Sequence, residues 1–388
     1  MLIKRGLHKK IAKYKNSPEA IVITGMRRVG KTTILKMIFD EIPSTNKLFF
    51  DLDNPAEQTI FDAKDYNTIP KRFAERGINL NNKAYIFLDE IQSMPNLPSV
   101  VKYLIDHYQI KFFMSGSASF YIRNMFTESL AGRKYIFELF PFDFHEFLQA
   151  KNIAPPQDTN LPLSHASYLH YAPQFEEYLQ YGGFPAVVLA KTSQEKQDRL
   201  KDIFSAYWSL EVERLSDFRK KDKVRDFIFL LMERVGNKID ITKFSKELGV
   251  AKDTLESYLN FLQDTYLIST IPPYSTNRDV EIRGAKKLYF IDSGLLNQFS
   301  RLDPGSIFEN CIFNLLRHHG EVKYWQQKDG QEIDFIVDEK IAYEVKLQAI
   351  DQHFKKLERR AKKIGIKKYY VVSQKYCDHP KVTYGFLL

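Results

Sequence analysis

Hydrophobic positions along this chain change their spacing several times, and each change marks a different kind of element. Residues 1–15 are basic, with Leu2, Ile3, Leu7 and Ile11 at helical spacing, and Asn16, Ser17 and Pro18 end that helix. Ala20–Gly25 is a continuous apolar run rich in β-branched residues, the pattern of a strand buried on both faces of a parallel sheet. Strand patterns recur at Lys47–Asp53, Ala84–Gln92 and Lys111–Ser119, with helical patterns between them, the first over Gly30–Glu41. This alternation predicts an open parallel α/β sheet over residues 18–140.

From Phe142 to Arg234 the strand pattern gives way to helical stretches, interrupted by the turn YGGFP (Tyr181–Pro185). Residues 151–165, with three prolines, read as an exposed loop. ITKFSKELGV, ending at Gly249, and the following stretch with Leu255, Tyr258, Leu259 and Leu262 on one face predict a helix-turn-helix. Its second helix offers few cationic or amide side chains for base edges, which argues against sequence-specific readout. Pro272–Gly284 reads as a linker. Beyond it KLYFID, VKYWQQ, QEIDFIV, KIAYEVKL and KKYYVVS resume the α/β pattern.

Composition narrows the class. At 388 residues the chain exceeds one core of roughly 100–200 residues. A 44% hydrophobic and 27% charged make-up is that of a globular protein, and no apolar run approaches the roughly 18 residues of a spanning helix. The two cysteines, Cys311 and Cys377, exclude a disulfide framework and fit a reducing, cytoplasmic setting. No histidine has metal-ligand spacing with them, so zinc is not expected. The net charge of +9 is compatible with a polyanionic partner.

The sharpest chemistry is Gly25-Met26-Arg27-Arg28-Val29-Gly30-Lys31-Thr32, followed by Thr33. It matches G-x-x-x-x-G-K-[ST] between a strand and a helix, the context of a phosphate-binding loop. Its N–H groups and the helix start favour phosphate, Lys31 pairs with the β- and γ-phosphates, and the Thr32 hydroxyl ligates Mg²⁺. YIFLDE ends in Asp89, expected on the Mg²⁺ through water, and Glu90, expected to polarise the attacking water. The strand after that ends FFMSGSAS, so Ser115 or Ser117 is placed to reach the γ-phosphate, or else to cap the next helix. Arg133, with Arg123 and Arg214 behind it, is the preferred source of a charge-stabilising arginine finger.

GMRRVGKTTIL, FLDEIQSMPN, FMSGSAS and SLAGRKYIFELFPFDFHEFL, followed by YGGFP, LNFLQDTYLIS, KLYFIDSGLLN, FEN and EIDF…EVK, together resemble a group of prokaryotic AAA+ ATPases. In that group the P-loop core precedes a domain of unknown function that echoes the PD-(D/E)XK nucleases. The resemblance implies ATP rather than GTP and four parts. These are an AAA+ core over 1–150, a helical lid over 151–235, a winged-helix-like segment over 236–275, and a C-terminal α/β restriction-endonuclease-like domain over 285–388. The lid is expected to order against the P-loop when ATP binds.

In the last part, Glu344 and Lys346 share one face of a strand, and Asp334 on the preceding strand is expected beside them. By the nuclease resemblance Asp334 and Glu344 hold Mg²⁺, Lys346 orients or activates water, and Glu309 supports the metal. The motif's proline is replaced by Ile333. Asp351–Lys368 carries Lys355, Lys356, Arg359, Arg360, Lys362 and Lys363, a cationic helix suited to DNA phosphates. The expected function is an ATP-hydrolysing protein that couples nucleotide state to DNA engagement. A metal-dependent endonuclease under ATP control, and a nucleotide-gated scaffold for a protein partner or a second copy, are the competing readings.

Overall fold

The computed structural model describes residues 3–117, 130, 132–156, 162–213, 220–327 and 329–388. The chain forms two compact units, one holding the residues up to Phe140 with Asp264–Tyr266, the other Pro141–Gln263 with Leu267–Leu388.

The first unit is built on five strands: β1 (Ala20–Thr24), β2 (Lys47–Asp51), β3 (Ala84–Asp89), β4 (Ile110–Gly116) and β5 (Lys134–Glu138). They run in the order β2-β3-β4-β1-β5, and every neighbouring pair is parallel. The apolar runs explain the order: β1 and β4 are buried along their whole length, as central strands must be, whereas β5 at the edge is only half-buried. One side of the sheet packs Val22, Ile86, Leu88, Phe112 and Met114 against Phe61, Phe73, Val101 and Leu104. The helix Lys31–Glu41 follows the P-loop, as its pattern predicts. Because β4 lies between β3 and β1, the carboxyl ends of all three meet at one rim, where ligands of open α/β sheets bind.

The second unit begins with helices at Phe144–Ala150, His165–Tyr181 and Ser193–Tyr207. The sequence suggests the last two as part of a helical lid over 151–235, and all three helices fall within the second unit. The reason is aromatic packing: Phe175 meets Phe308 and Phe386 edge-on at ring distances of 6.2 and 6.1 Å. A helix pair, Ile241–Leu248 and Lys252–Asp264, turns at Gly249 in the left-handed conformation. It leads into the antiparallel pair β6 (Ile268–Ile271) and β7 (Lys287–Phe290). The stretch between them is less of a free linker than its composition suggests, since Pro273 and Tyr274 bridge to Tyr324.

A helix at Pro304–Leu316 precedes a second sheet of β8 (Val322–Gln326), β9 (Glu332–Val337), β10 (Ile341–Lys346), β11 (Lys368–Ser373) and β12 (Val382–Thr383). Its order is β12-β11-β10-β9-β8, antiparallel from β8 to β10 and parallel from β10 to β12. The amphipathic helix Asp351–Lys363 makes the crossover, burying Phe354, Leu357 and Ala361. No described helix is long and apolar enough to cross a membrane.

Candidate functional site

The P-loop needs backbone that ordinary residues resist. Gly25 and Gly30 have φ of 152° and 99°, and a Cβ on Gly25 would collide with the carbonyl oxygen of Leu139. Lys31 is 5% exposed, and its ammonium donates to the carbonyls of Gly25 and Met26 at 2.9 and 3.0 Å. It spans the mouth of the loop, where an entering phosphate would compete for it. Thr32 follows, half-buried at the first turn of the helix.

Across the rim, Asp89 is buried and its Oδ1 accepts the Ser115 hydroxyl and, at 3.1 Å, the N–H of Glu90. Glu90 adopts φ of 54°, a strained conformation for a side chain of this size. Burial pushes its carboxyl pKa above the ordinary value, against the opposing charges of Lys31 and Arg27. Gln92 donates to Glu90 and its Oε1 accepts the N–H of Ser117 at 3.2 Å. The Ser117 hydroxyl is buried with no hydrogen-bond partner among the described residues. The two serines therefore differ: Ser115 donates to Asp89, and the Ser117 hydroxyl binds no other described residue. A Thr32 hydroxyl, the Asp89 carboxylate and phosphate oxygens are the hard donors that suit Mg²⁺.

Arg133 is not at this rim. Its carbonyl accepts the N–H of Ala20, at the amino end of β1, and its guanidinium pairs with Asp106 at 2.8 Å. That is a strand length, about 15 Å, from the P-loop of its own chain. Its guanidinium therefore stands at the opposite end of the sheet from the P-loop, paired with Asp106. Arg123 and Arg214 lie outside the described residues.

In the second unit the four expected positions do come together. The β9–β10 ladder runs to Phe335–Tyr343, and there Asp334 inserts its carboxylate, taking the N–H of Val345 at 2.7 Å. Lys346 Nζ is 3.0 Å from Glu344 and 3.6 Å from Asp334. Glu309 receives the Tyr289 hydroxyl at 2.7 Å. Burial first, and the Asp334 charge second, raise the carboxyl pKa values of both Glu309 and Glu344. Four further participants escape sequence reading: Lys287, Tyr289, Glu332 and Arg360. Lys287 bridges to Glu332 and stands 3.9 Å from Glu309. Arg360, expected on the cationic surface, turns inward to the Glu332 carbonyl at 2.6 Å and to Glu344 at 3.5 Å. Lys355, Lys356, Arg359, Lys362 and Lys363 remain exposed.

This donor set only partly suits a divalent ion. Glu344 Oε2 is buried without a hydrogen-bond partner among the described residues, as a ligand atom would be. Yet no three acidic, histidine or cysteine side chains among the described residues converge on a common point.

Comparison with known proteins agrees with the first unit. Residues 17–148 match the family model of the AAA domain, in keeping with the P-loop and rim described above. Residues 172–306 and 304–384 match two models described as domains of unknown function (DUF8612 and DUF4143). An uncharacterized protein of Methanocaldococcus jannaschii is 28% identical over 328 residues, covering 81% of this chain and 71% of that protein. An uncharacterized protein of Haemophilus influenzae is 25% identical over 349 residues, covering 87% and 84%. Among solved structures, the Aeropyrum pernix ORC2 protein in its ADP form gives a TM-score of 0.37 at 13% identity, over 70% of this chain and 87% of that one.

Proposed function

We propose that this protein binds and hydrolyses ATP with Mg²⁺ at the rim of the first sheet. The observation that carries the reading is the meeting of Lys31, Asp89, Glu90 and Ser117 at the carboxyl ends of β1, β3 and β4. Lys31 exchanges its two loop carbonyls for phosphate oxygens. Thr32 and Asp89 supply the ligands of Mg²⁺, which would neutralise charge on the phosphates. Glu90, with a raised pKa, is suited to take a proton from the attacking water, and Ser117 offers a donor beside it. Adenine as the base rests on family resemblance. Steady-state ATP turnover in wild type and Lys31→Ala tests the reading, and equal turnover in the two would sink it.

The second unit is proposed to engage DNA, and its helix pair with β6 and β7 to be winged-helix-like. The order helix, three antiparallel strands, crossover helix, parallel strand supports a nuclease-like domain, and the exposed lysine face offers phosphate contacts. Among the described residues the acidic side chains do not converge on a common point, so the arrangement as it stands is not poised for metal-dependent cleavage. DNA affinity measured with an ATP analogue, with ADP and without nucleotide tests the coupling. Equal affinities in all three would argue against it. Plasmid nicking abolished by Asp334→Ala would favour the endonuclease reading.

A further inference from the structure

The basic segment ahead of β1 is anchored along its length. Its helix, Gly6–Ala12, buries Ile11, and His8 Nε2 lies 2.8 Å from Glu41 at the end of the helix Lys31–Glu41. The backbone that follows is held by Lys111, whose ammonium donates to the carbonyls of Tyr14 and Ser17, each at 2.9 Å. Arg5, just before the helix, is 6% exposed. Its Nη1 donates to the carbonyl of Val29 at 2.9 Å, and its Nη2 to that of Phe140 at 2.5 Å. Val29 is the P-loop residue before Gly30, and Phe140 lies just beyond the carboxyl end of β5. Its neighbour Leu139 donates its N–H to the Thr24 carbonyl at 2.7 Å, and the Leu139 carbonyl oxygen fills the place a Cβ on Gly25 would take. The loop is thus held to Leu139–Phe140 at both ends, directly at Gly25 and through the Arg5 guanidinium at Val29.

We infer that Arg5 is a positioning residue of the phosphate site: by holding the carbonyl of Val29, it sets the Gly30 N–H facing the phosphates. This rests on the reading of the first unit as a nucleotide site. A peptide unit is planar and trans, so the C=O of Val29 and the N–H of Gly30 point in opposite directions. The Gly30 N–H takes no carbonyl among the described residues, which leaves it for a phosphate oxygen. Gly30, with φ of 99°, has no side chain to fix that peptide, so the constraint comes from outside the loop. A planar guanidinium can grip carbonyls of two segments at once in a set geometry, which an ammonium cannot. The two cations of the loop therefore differ. Lys31 bonds the carbonyls of Gly25 and Met26, which an entering phosphate displaces, whereas Arg5 bonds a carbonyl turned away from the phosphates and keeps it.

The test is ADP binding by titration calorimetry to the full chain as wild type, Arg5→Met, Arg5→Lys and Ile11→Ala. Arg5→Met should weaken ADP about tenfold or more, the worth of a hydrogen bond from a charged donor. Arg5→Lys keeps the charge without the fork and should weaken it about threefold or more. Ile11→Ala takes a buried side chain from the same segment and should lower the melting temperature with ADP affinity unchanged, which separates loosening of the helix from loss of the guanidinium. In spectra of glycine-labelled protein, the Gly30 amide should shift on adding ADP to wild type and shift less in the Arg5 variants. Arg5→Lys decides the question if Arg5→Met does not fold. Wild-type affinity in either Arg5 variant, or an equal loss in Ile11→Ala, overturns the positioning role and leaves the nucleotide reading intact. No binding of ADP or ATP by folded wild type overturns both.

Discussion

The carboxylate of Asp292 accepts the backbone N–H of Gly183 at 2.8 Å, joining positions 109 residues apart in sequence. The same carboxylate caps the helix Ser293–Phe299 through the N–H of Leu295 at 3.2 Å. One side chain therefore ties the YGGFP turn to the strand-to-helix junction after β7. Asp292 is 4% exposed, and burial pushes its pKa from 3.8 to about 6, against the backbone N–H groups that favour its charge.

This gives a pH dependence of known sign. The folded-state pKa is raised, so Asp292 contributes stability fully below about pH 3.8, and that contribution is lost as pH rises to about 6. The shift corresponds to ~3 kcal/mol. Asp292→Asn lacks the component, so its stability relative to wild type should improve by about that amount between pH 4 and pH 7. Urea unfolding of both proteins at the two pH values checks it. Parallel pH profiles would show that Asp292 is charged in the folded protein across the range.

The turn that Asp292 holds also has no spare room. A Cβ on Gly183 would collide with the carbonyl oxygen of Phe142, a backbone atom that cannot swing aside. Gly183→Ala should therefore destabilise the second unit by about 2–4 kcal/mol. Gly365 makes the control, with φ of 78° and open space around it. Gly365→Ala should cost only the backbone strain, about 1–2 kcal/mol. Thermal unfolding of the two variants compares them, and equal losses would mean that the turn relaxes around the new methyl group.

How much of this was legible in the sequence follows from the range of the interactions. The P-loop and the Asp89–Glu90 pair are local, set by strand, turn and helix within a few residues, and they stand where their pattern puts them. Strand β5 went unseen because Lys134–Glu138 is a half-buried edge strand without a clean alternation. Asp334, Glu344 and Lys346 could be brought together from the period of two along paired strands. Lys287 could not, since a lysine in KKLYF reads as ordinary surface until β7 is folded against the Glu332 strand. Arg360 misled for the same reason, being one cation in a run that otherwise faces solvent. Arg133 stands out by its neighbours in sequence, but it immediately precedes β5, and a parallel sheet puts that end away from the phosphate rim.

At the rim, Lys31→Ala and Glu90→Gln should separate binding from chemistry. Lys31→Ala removes the phosphate cation together with two hydrogen bonds to loop carbonyls, so ATP should no longer raise the melting temperature. Glu90→Gln keeps the shape of the site and removes its base. Turnover should fall by about 100-fold or more while ATP still raises the melting temperature. Retained turnover in Glu90→Gln would move the base elsewhere.

The two serines of β4 and its exit make the finest distinction. Ser115 donates to the buried Asp89, so Ser115→Ala leaves a carboxylate short of a hydrogen bond and should cost about 1–3 kcal/mol of stability. Its turnover should recover in part at high Mg²⁺, because what it loses is the orientation of Asp89. Ser117→Ala removes a hydroxyl that binds no described residue, so the melting temperature should stay where it is. If that hydroxyl meets the γ-phosphate or the attacking water, turnover should fall about 10-fold or more with ATP affinity little changed. Melting curves and Mg²⁺-dependent kinetics on both variants read the difference. Full turnover in Ser117→Ala, with a loss confined to Ser115→Ala, would give the sensing role to Ser115 and leave Ser117 as a residue that merely ends the strand.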